Sequence, residues 1–188
     1  MNADKLVVGL AGMPGSGKSV VVDMAREMGY DIVVMGDVIR GETIKRGLEL
    51  TPENVGKVML ALREEAGDYV VAQKCVPEIE KQTSQKVLVD GLRSLHEADI
   101  FKEHFVKFSL IAVHASPRTR FNRLMNRRRS DDTAEWQVFH ERNMRELSVG
   151  LGNVIAMAEQ MVVNDNSFGE VKAKVKESLQ RIEEKWTQ

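Results

Sequence analysis

Short apolar runs recur along this chain, separated by longer stretches whose apolar positions keep helical spacing. The runs are Leu6–Leu10, Ile32–Met35, Val87–Val89, Ser109–Val113 and Met161–Val163. They do not alternate apolar with polar residues, as a strand with one wet face does. Uninterrupted runs suit strands covered on both sides in a parallel sheet. Helix boundaries are legible between them. Val20–Met28 is apolar on one face and stopped by Gly29. Thr51-Pro52 reads as an N-cap followed by proline at the first helical position, and Ser116-Pro117 opens another helix. Asp132-Thr133-Ala134-Glu135 reads as a cap with an acidic residue three places on. Strand–helix alternation predicts an α/β fold of three layers, with a five-stranded parallel sheet and right-handed crossovers. Residues 37–80 hold two or three helices between the second and third strands. That is more than a crossover needs, so this segment is expected to cap a site.

Composition narrows the class. A chain of 188 residues makes one domain, 1–188, with no repeat, low-complexity tract or linker. With 43% hydrophobic and 29% charged residues it has the balance of an ordinary soluble domain. A net charge of −1 removes the case for a general nucleic-acid or membrane surface. The single cysteine, Cys75, excludes an intrachain disulfide and a cysteine metal cluster, and reads as a small core residue. Met1-Asn2-Ala3-Asp4-Lys5 runs straight into the first strand without room for a signal peptide. No apolar run approaches the ~20 residues of a membrane span, so a cytoplasmic protein is expected. The pattern is silent on oligomeric state.

The chemistry concentrates in Gly12-Met13-Pro14-Gly15-Ser16-Gly17-Lys18-Ser19, which fits the phosphate-loop pattern GxxxxGK followed by Ser or Thr. It lies after a predicted strand and before the helix that begins near Val20. Glycines let successive backbone N–H groups approach phosphate oxygens without a Cβ in the way, and the helix start adds its positive dipole end. Lys18 would reach the β- and γ-phosphates of ATP, and the Ser19 hydroxyl would ligate Mg²⁺. No histidine pair has metal-binding spacing.

In an open parallel sheet, ligands sit beyond the carboxyl ends of the strands. The residues just after each run are therefore informative. After the second comes Gly36-Asp37-Val38-Ile39-Arg40, and after the third Asp90-Gly91-Leu92-Arg93. After the fourth come His114 and a helix carrying Arg120, Arg123, Arg127, Arg128 and Arg129; after the fifth, Asn164-Asp165-Asn166. Here the chain resembles the nucleoside monophosphate kinase group of phosphate-loop proteins. Gly36-Asp37-x-x-Arg40 is similar to the G-D-x-x-R of adenylate kinases, and Val89-Asp90-Gly91-Leu92-Arg93 to their V-D-G-F-P-R with one residue fewer. Arg123 and Arg127 keep the R-x-x-x-R spacing before the lid, Arg129-Ser130-Asp131-Asp132 resembles its exit motif, and Arg142 matches the arginine on the following helix. The lid, 123–132, is then very short. The resemblance spans almost the whole chain and is closest to an archaeal group related to adenylate kinase and dephospho-coenzyme A kinase.

The resemblance implies a kinase moving the γ-phosphate of ATP to a small phosphorylated acceptor. In the leading reading the acceptor is a nucleoside monophosphate; in the runner-up it is dephospho-coenzyme A. Lys18 and the loop amides hold the donor, while Ser19 and, through water, Asp90 hold Mg²⁺. Arg40 and Arg93 grip the acceptor phosphate, with Asp37 orienting the acceptor or the metal's waters. Arg123, Arg127 and Arg142 act on the donor side and the transition state, and Asn164 contacts the donor base. Plainer readings stand beside these. Asp37 and Asp90 also suit helix caps, Asn164 suits a loop residue tolerating positive φ, and Arg127-Arg128-Arg129 suits a solvated helix end. Other functional classes are a nucleotide-dependent switch or ATPase acting on a macromolecule, and a binding module without turnover. Against a GTPase switch, no NKxD sequence occurs.

Overall fold

The computed structural model describes residues 4–127, 135–165 and 167–187. In chain order the elements are β1 (Leu6–Ala11), α1 (Ser19–Glu27), β2 (Asp31–Val34), α2 (Met35–Lys45), α3 (Pro52–Ala66), α4 (Val70–Glu80) and β3 (Lys86–Asp90). Then come α5 (Leu95–His104), β4 (Lys107–His114), α6 (Pro117–Arg127), α7 (Trp136–Ser148), α8 (Leu151–Ala156), β5 (Gln160–Val163) and α9 (Phe168–Thr187). All pairings are parallel and the strand order is β2-β3-β1-β4-β5. The central strand β1 thus carries the phosphate loop at its carboxyl end, with β3 and β4 on either side.

Both faces of the inner strands β1, β3 and β4 are covered, which is why they read as apolar throughout, whereas Met161 and Val163 of the edge strand β5 stay exposed. Val7, Val87, Val89 and Leu110 pack with Cys75 and Ile79 of α4, Phe101 of α5 and Val154 of α8. Val8, Leu10, Leu88, Ile111 and Val162 pack against Val21 and Ala25 of α1 and Val175, Leu179 and Ile182 of α9. Each fully buried aliphatic side chain contributes about 1.5–3 kcal/mol, so neither layer is dispensable. Gly9, in the middle of β1, has a packing reason. A Cβ there would stand 2.9 Å from Leu92 Cδ2 and 3.0 Å from Leu110 Cδ2. Its absence lets Leu92, 1% exposed, seat against the strand. The amides of Gly91 and Leu92 then both donate to Leu10 O, at 3.1 and 3.3 Å.

Two boundaries differ from expectation. Met35 opens α2 instead of ending β2, so Gly36 and Asp37 lie inside the first helical turn with no loop between strand and helix. Glu135 stands at the N-cap position of α7, not three residues into the helix; its expected cap, Asp132, lies outside the described residues. Elsewhere the signals match: Thr51 Oγ1 accepts from Asn54 N at 3.2 Å, with proline in the first turn of α3. Residues 37–80 fall in α2, α3 and α4, and Ile39 of α2, Val58 and Leu62 of α3 and Cys75 and Ile79 of α4 share one buried cluster with the sheet.

Candidate active site: a phosphate loop between arginine-lined clefts

The loop Gly12–Gly17 leaves β1 and turns on itself through Ser16 N to Met13 O, 3.0 Å. Lys18 Nζ lies 3.4 Å from Gly12 O and 4.0 Å from Asp90 Oδ1. The two side chains are only 27% and 23% exposed. Burial pushes the Lys18 ammonium pKa down while the Asp90 charge opposes the shift. Burial likewise raises the Asp90 pKa against the pull of Lys18 and Arg93. Asp90 Oδ1 and Ser16 Oγ are both shielded from water without a hydrogen bond. Buried polar atoms left so are the exception in folded proteins.

The back of the loop is clamped. Asn164 Nδ2 donates to Ser16 O at 2.8 Å, and Arg123 donates to Ser16 O at 3.3 Å, Asn164 O at 2.9 Å and Asn164 Oδ1 at 3.2 Å. The Asn164 side chain, 6% exposed as a residue, supports the loop. Arg123 does the same, though it also borders a cleft of about 410 Å³ with Ser19, Asp90 and Arg127. Gly17 has φ +90°, and a Cβ on it would stand 2.2 Å from Asn164 Nδ2. We expect Gly17→Ala to cost roughly 1–3 kcal/mol of stability and to weaken MgATP binding at least about tenfold. Thermal melts and calorimetric titration check this; wild-type affinity in the variant would mean that the clamp yields freely.

A residue the motifs did not single out braces the arrangement. Arg120, 5% exposed, donates to Ala115 O at 3.2 Å, Pro14 O at 3.1 Å and Asn143 Oδ1 at 2.7 Å. Its guanidinium also lies 5.1 Å from the Phe139 ring centroid. It therefore ties the phosphate loop to α7, the helix carrying Arg142. No aspartate or glutamate bridges it among the described residues, and burial lowers its pKa.

Two further clefts meet at this loop. One, about 210 Å³, is lined by Gly12, Pro14, Gly15 and Lys18 with Arg93, Arg127, Arg142 and Glu146. Arg93 Nε stands 3.6 Å from Glu146 Oε2, and Arg142 and Glu146 are one turn apart on α7. The other, about 290 Å³, runs under α2 and α3 between Arg40, Arg63 and Arg93, with Met35, Ile39, Met59, Val71, Asp90 and Glu97 in its walls. Lys18 and Arg93 line both. Asp37 does not join them. It sits in the first turn of α2, where Arg40 Nε donates to its Oδ1 at 2.8 Å, and it faces a different cleft beside the edge strand β2. Asp37 thus pairs with Arg40 and lies outside the two clefts that meet at the loop. Arg63, Glu97, Glu146, Arg120 and Asn143 are site residues beyond the motif reading. Arg128, Arg129 and 130–132, the rest of the expected lid, lie outside the described residues. Among the described residues, no group of three or more His, Cys, Asp or Glu side chains is placed to hold a metal, and no helix is long and apolar enough to cross a membrane.

Residues 11–138 match the AAA domain family. The chain is 48% identical over 179 residues to a UPF0200 protein of Methanocaldococcus jannaschii, covering 94% of this chain and 90% of that one. A UPF0200 protein of Hyperthermus butylicus is likewise 48% identical, over 180 residues and 96% of each chain. The chain belongs to the AAA domain family and to the UPF0200 proteins. Solved structures extend the fold of this UPF0200 chain to more distant proteins. TT1252 from Thermus thermophilus aligns with a TM-score of 0.62 at 18% identity over 94% of this chain and 97% of that one. Shikimate kinase from Bacteroides thetaiotaomicron aligns with a TM-score of 0.62 at 13% identity, over 95% and 98%. A gluconokinase from Sinorhizobium meliloti gives 0.55 at 17%, over 99% and 98%. At such identities the likeness is one of fold. The UPF0200 chain has the α/β fold of the phosphate-loop kinases, with a five-stranded parallel sheet.

Proposed function

We propose that this UPF0200 protein is an ATP-dependent phosphotransferase that moves the γ-phosphate to a small phosphorylated acceptor, a nucleoside monophosphate. One observation carries the reading: Lys18 and Arg93 line both the cleft at the phosphate loop and the cleft under α2 and α3. A donor and an acceptor bound in these two clefts meet at a shared wall of cations, as in-line transfer requires.

The roles follow from position. The amides of Gly12–Gly17, with Lys18, hold the β- and γ-phosphates. Arg93 and Arg40 bind the acceptor phosphate, whose planar two-pronged match to guanidinium favours arginine over lysine. Arg127 and Arg142 neutralise charge spreading over the transferred group, while Arg123 and Asn164 hold the loop in shape. A bond forms between an acceptor-phosphate oxygen and the γ-phosphorus as the bond to the β,γ-bridging oxygen breaks. The acceptor phosphate is already largely ionised at neutral pH, so no base is needed. The Ser19 hydroxyl and Asp90 Oδ1, which makes no hydrogen bond, border one cleft and form a hard-oxygen donor set that fits Mg²⁺, which would supply Lewis-acid neutralisation of the phosphates when bound.

The test is ADP release from MgATP with each nucleoside monophosphate in turn. No acceptor-stimulated release with any would end this reading. Arg40→Ala should raise the acceptor's KM about 10- to 100-fold, the loss of one charge-assisted pair, and leave the KM for ATP within about twofold. Equal effects on both would contradict the division into two clefts. Glu146 favours a second reading, with dephospho-coenzyme A as acceptor. A hydroxyl nucleophile must lose its proton, and Glu146 stands beside Arg93 in the loop-side cleft to receive it. Turnover with dephospho-coenzyme A alone decides for it.

A further inference from the structure

The cleft under α2 and α3 holds two polar groups that a phosphate does not use. Arg63 enters it from α3, and its Nε is shielded from water without a hydrogen bond. Among the described residues no hydrogen bond or ion pair holds this guanidinium. Arginine cannot shed its proton to relieve burial, so an unmatched buried N–H remains costly until an acceptor atom meets it. Glu97, 2% exposed, is the second group. Its Oε2 accepts from Arg93 N at 2.7 Å and Ser94 N at 3.3 Å, while Ser94 Oγ accepts from Glu97 N at 3.2 Å, a capping box that starts α5. Oε1 makes no hydrogen bond among the described residues. Burial raises the Glu97 pKa, and the Arg93 amide, the Arg63 charge and the Ser94 amide oppose that rise. The cleft therefore presents a fixed acceptor and a fixed donor between the apolar walls of Met35, Ile39, Met59 and Val71.

We propose that Arg63 and Glu97 select the acceptor by the polarity of its hydrogen-bonding edge, favouring a lactam edge: a carbonyl oxygen beside a ring N–H, as in guanine and uracil nucleotides. This rests on the reading of the cleft as the acceptor site. A carbonyl oxygen has two lone pairs for the guanidinium fork, and the neighbouring ring N–H donates to the carboxylate. Adenine and cytosine reverse the pair: an amino N–H stands where guanine and uracil have the carbonyl and so meets the guanidinium, and a ring-nitrogen lone pair stands where they have the N–H and so meets the carboxylate. Arg40 and Arg93 remain for the phosphate, and the flat apolar walls suit a base plane.

The test is calorimetric binding of GMP, UMP, AMP and CMP to the full chain, in parallel with acceptor-dependent ADP release. GMP and UMP should bind at least about tenfold more tightly than AMP and CMP, the discrimination a hydrogen-bonding site exerts. Glu97→Gln keeps the capping box, because glutamine also serves at that position. It places an amide donor where Oε1 stood, so the order should shift toward AMP and CMP. Arg63→Met keeps a good helix former on α3 and should level the four affinities without changing that for ATP. Thermal melts certify each variant, and the two variants test the idea separately. Four equal affinities, tighter binding of AMP or CMP, no binding at all, or an unchanged order in both variants each overturn it. Turnover without base preference sinks this inference and leaves the kinase standing; base-selective binding without turnover does the reverse.

Discussion

Lys18→Ala should remove acceptor-dependent turnover, by a factor of about 10³ or more, while leaving a folded protein. The factor is that of losing one positioned charge on the transferring phosphates, in a site that uses electrostatics and positioning in place of covalent chemistry. The fold survives because the Lys18–Asp90 pair is loose. Its 4.0 Å separation and partial exposure give it the worth of a screened ion pair, about 1 kcal/mol or less, and not that of a fully buried one. Relief of the Lys18 desolvation offsets part of even that. The measurements are ADP release at saturating substrates, the melting temperature and the heat of MgATP titration. Wild-type turnover in the variant removes the donor-site assignment outright.

Arg120→Met has the largest expected effect on stability. Methionine fills most of the volume, but Pro14 O and Asn143 Oδ1 lose their donor, and the Phe139 ring loses its cation. Buried acceptors left unmatched cost about 1–3 kcal/mol each, reduced because the guanidinium no longer has to be desolvated. A net loss of about 2–3 kcal/mol corresponds to a fall of about 5–10 °C in Tm for a chain of this size. Adding Asn143→Leu, which removes one stranded acceptor, should recover part of the loss, since residues in contact do not act additively. Unchanged melting in Arg120→Met would show that the brace carries no load. If the brace also holds the phosphate loop to α7, the variant's affinity for ATP falls along with its Tm.

Local signals are legible in the chain and distant pairings are not. Strands β1, β3 and β4 follow from apolar runs because burial on both sheet faces leaves no polar alternation, while β5 reads the same way although its Met161 and Val163 are 45% and 43% exposed. The phosphate loop is legible because each of its residue types answers a local steric or charge demand. The start of α2 is hidden because Met35 is apolar and no turn residue separates strand from helix. Asp37 and Arg40 read as two ligands because their motif gives spacing but not pairing; on a helix that spacing puts them side by side. Arg63 sits in Arg63-Glu64-Glu65, indistinguishable from a solvated face until α3 is packed. The grip of Asn164 on Ser16 joins residues 148 apart, and that of Arg120 on Pro14 joins residues 106 apart, separations no periodicity reaches. Ser94-Leu95-His96-Glu97 does carry a readable sign, since Ser followed three places later by Glu marks a capping box.

The adjacency of β1 and β3 has a mechanical corollary. Lys18 follows one strand and Asp90 ends the other, and Gly91 and Leu92 are stitched to Leu10 across the seam. Neighbouring strands lie about 4.8 Å apart whatever their side chains, so the gauge between the strand that feeds the phosphate loop and the strand that ends in Asp90 is set by peptide geometry. Under the proposed reading, exchanging helices α2 and α3 would change the recipient without retuning that gauge.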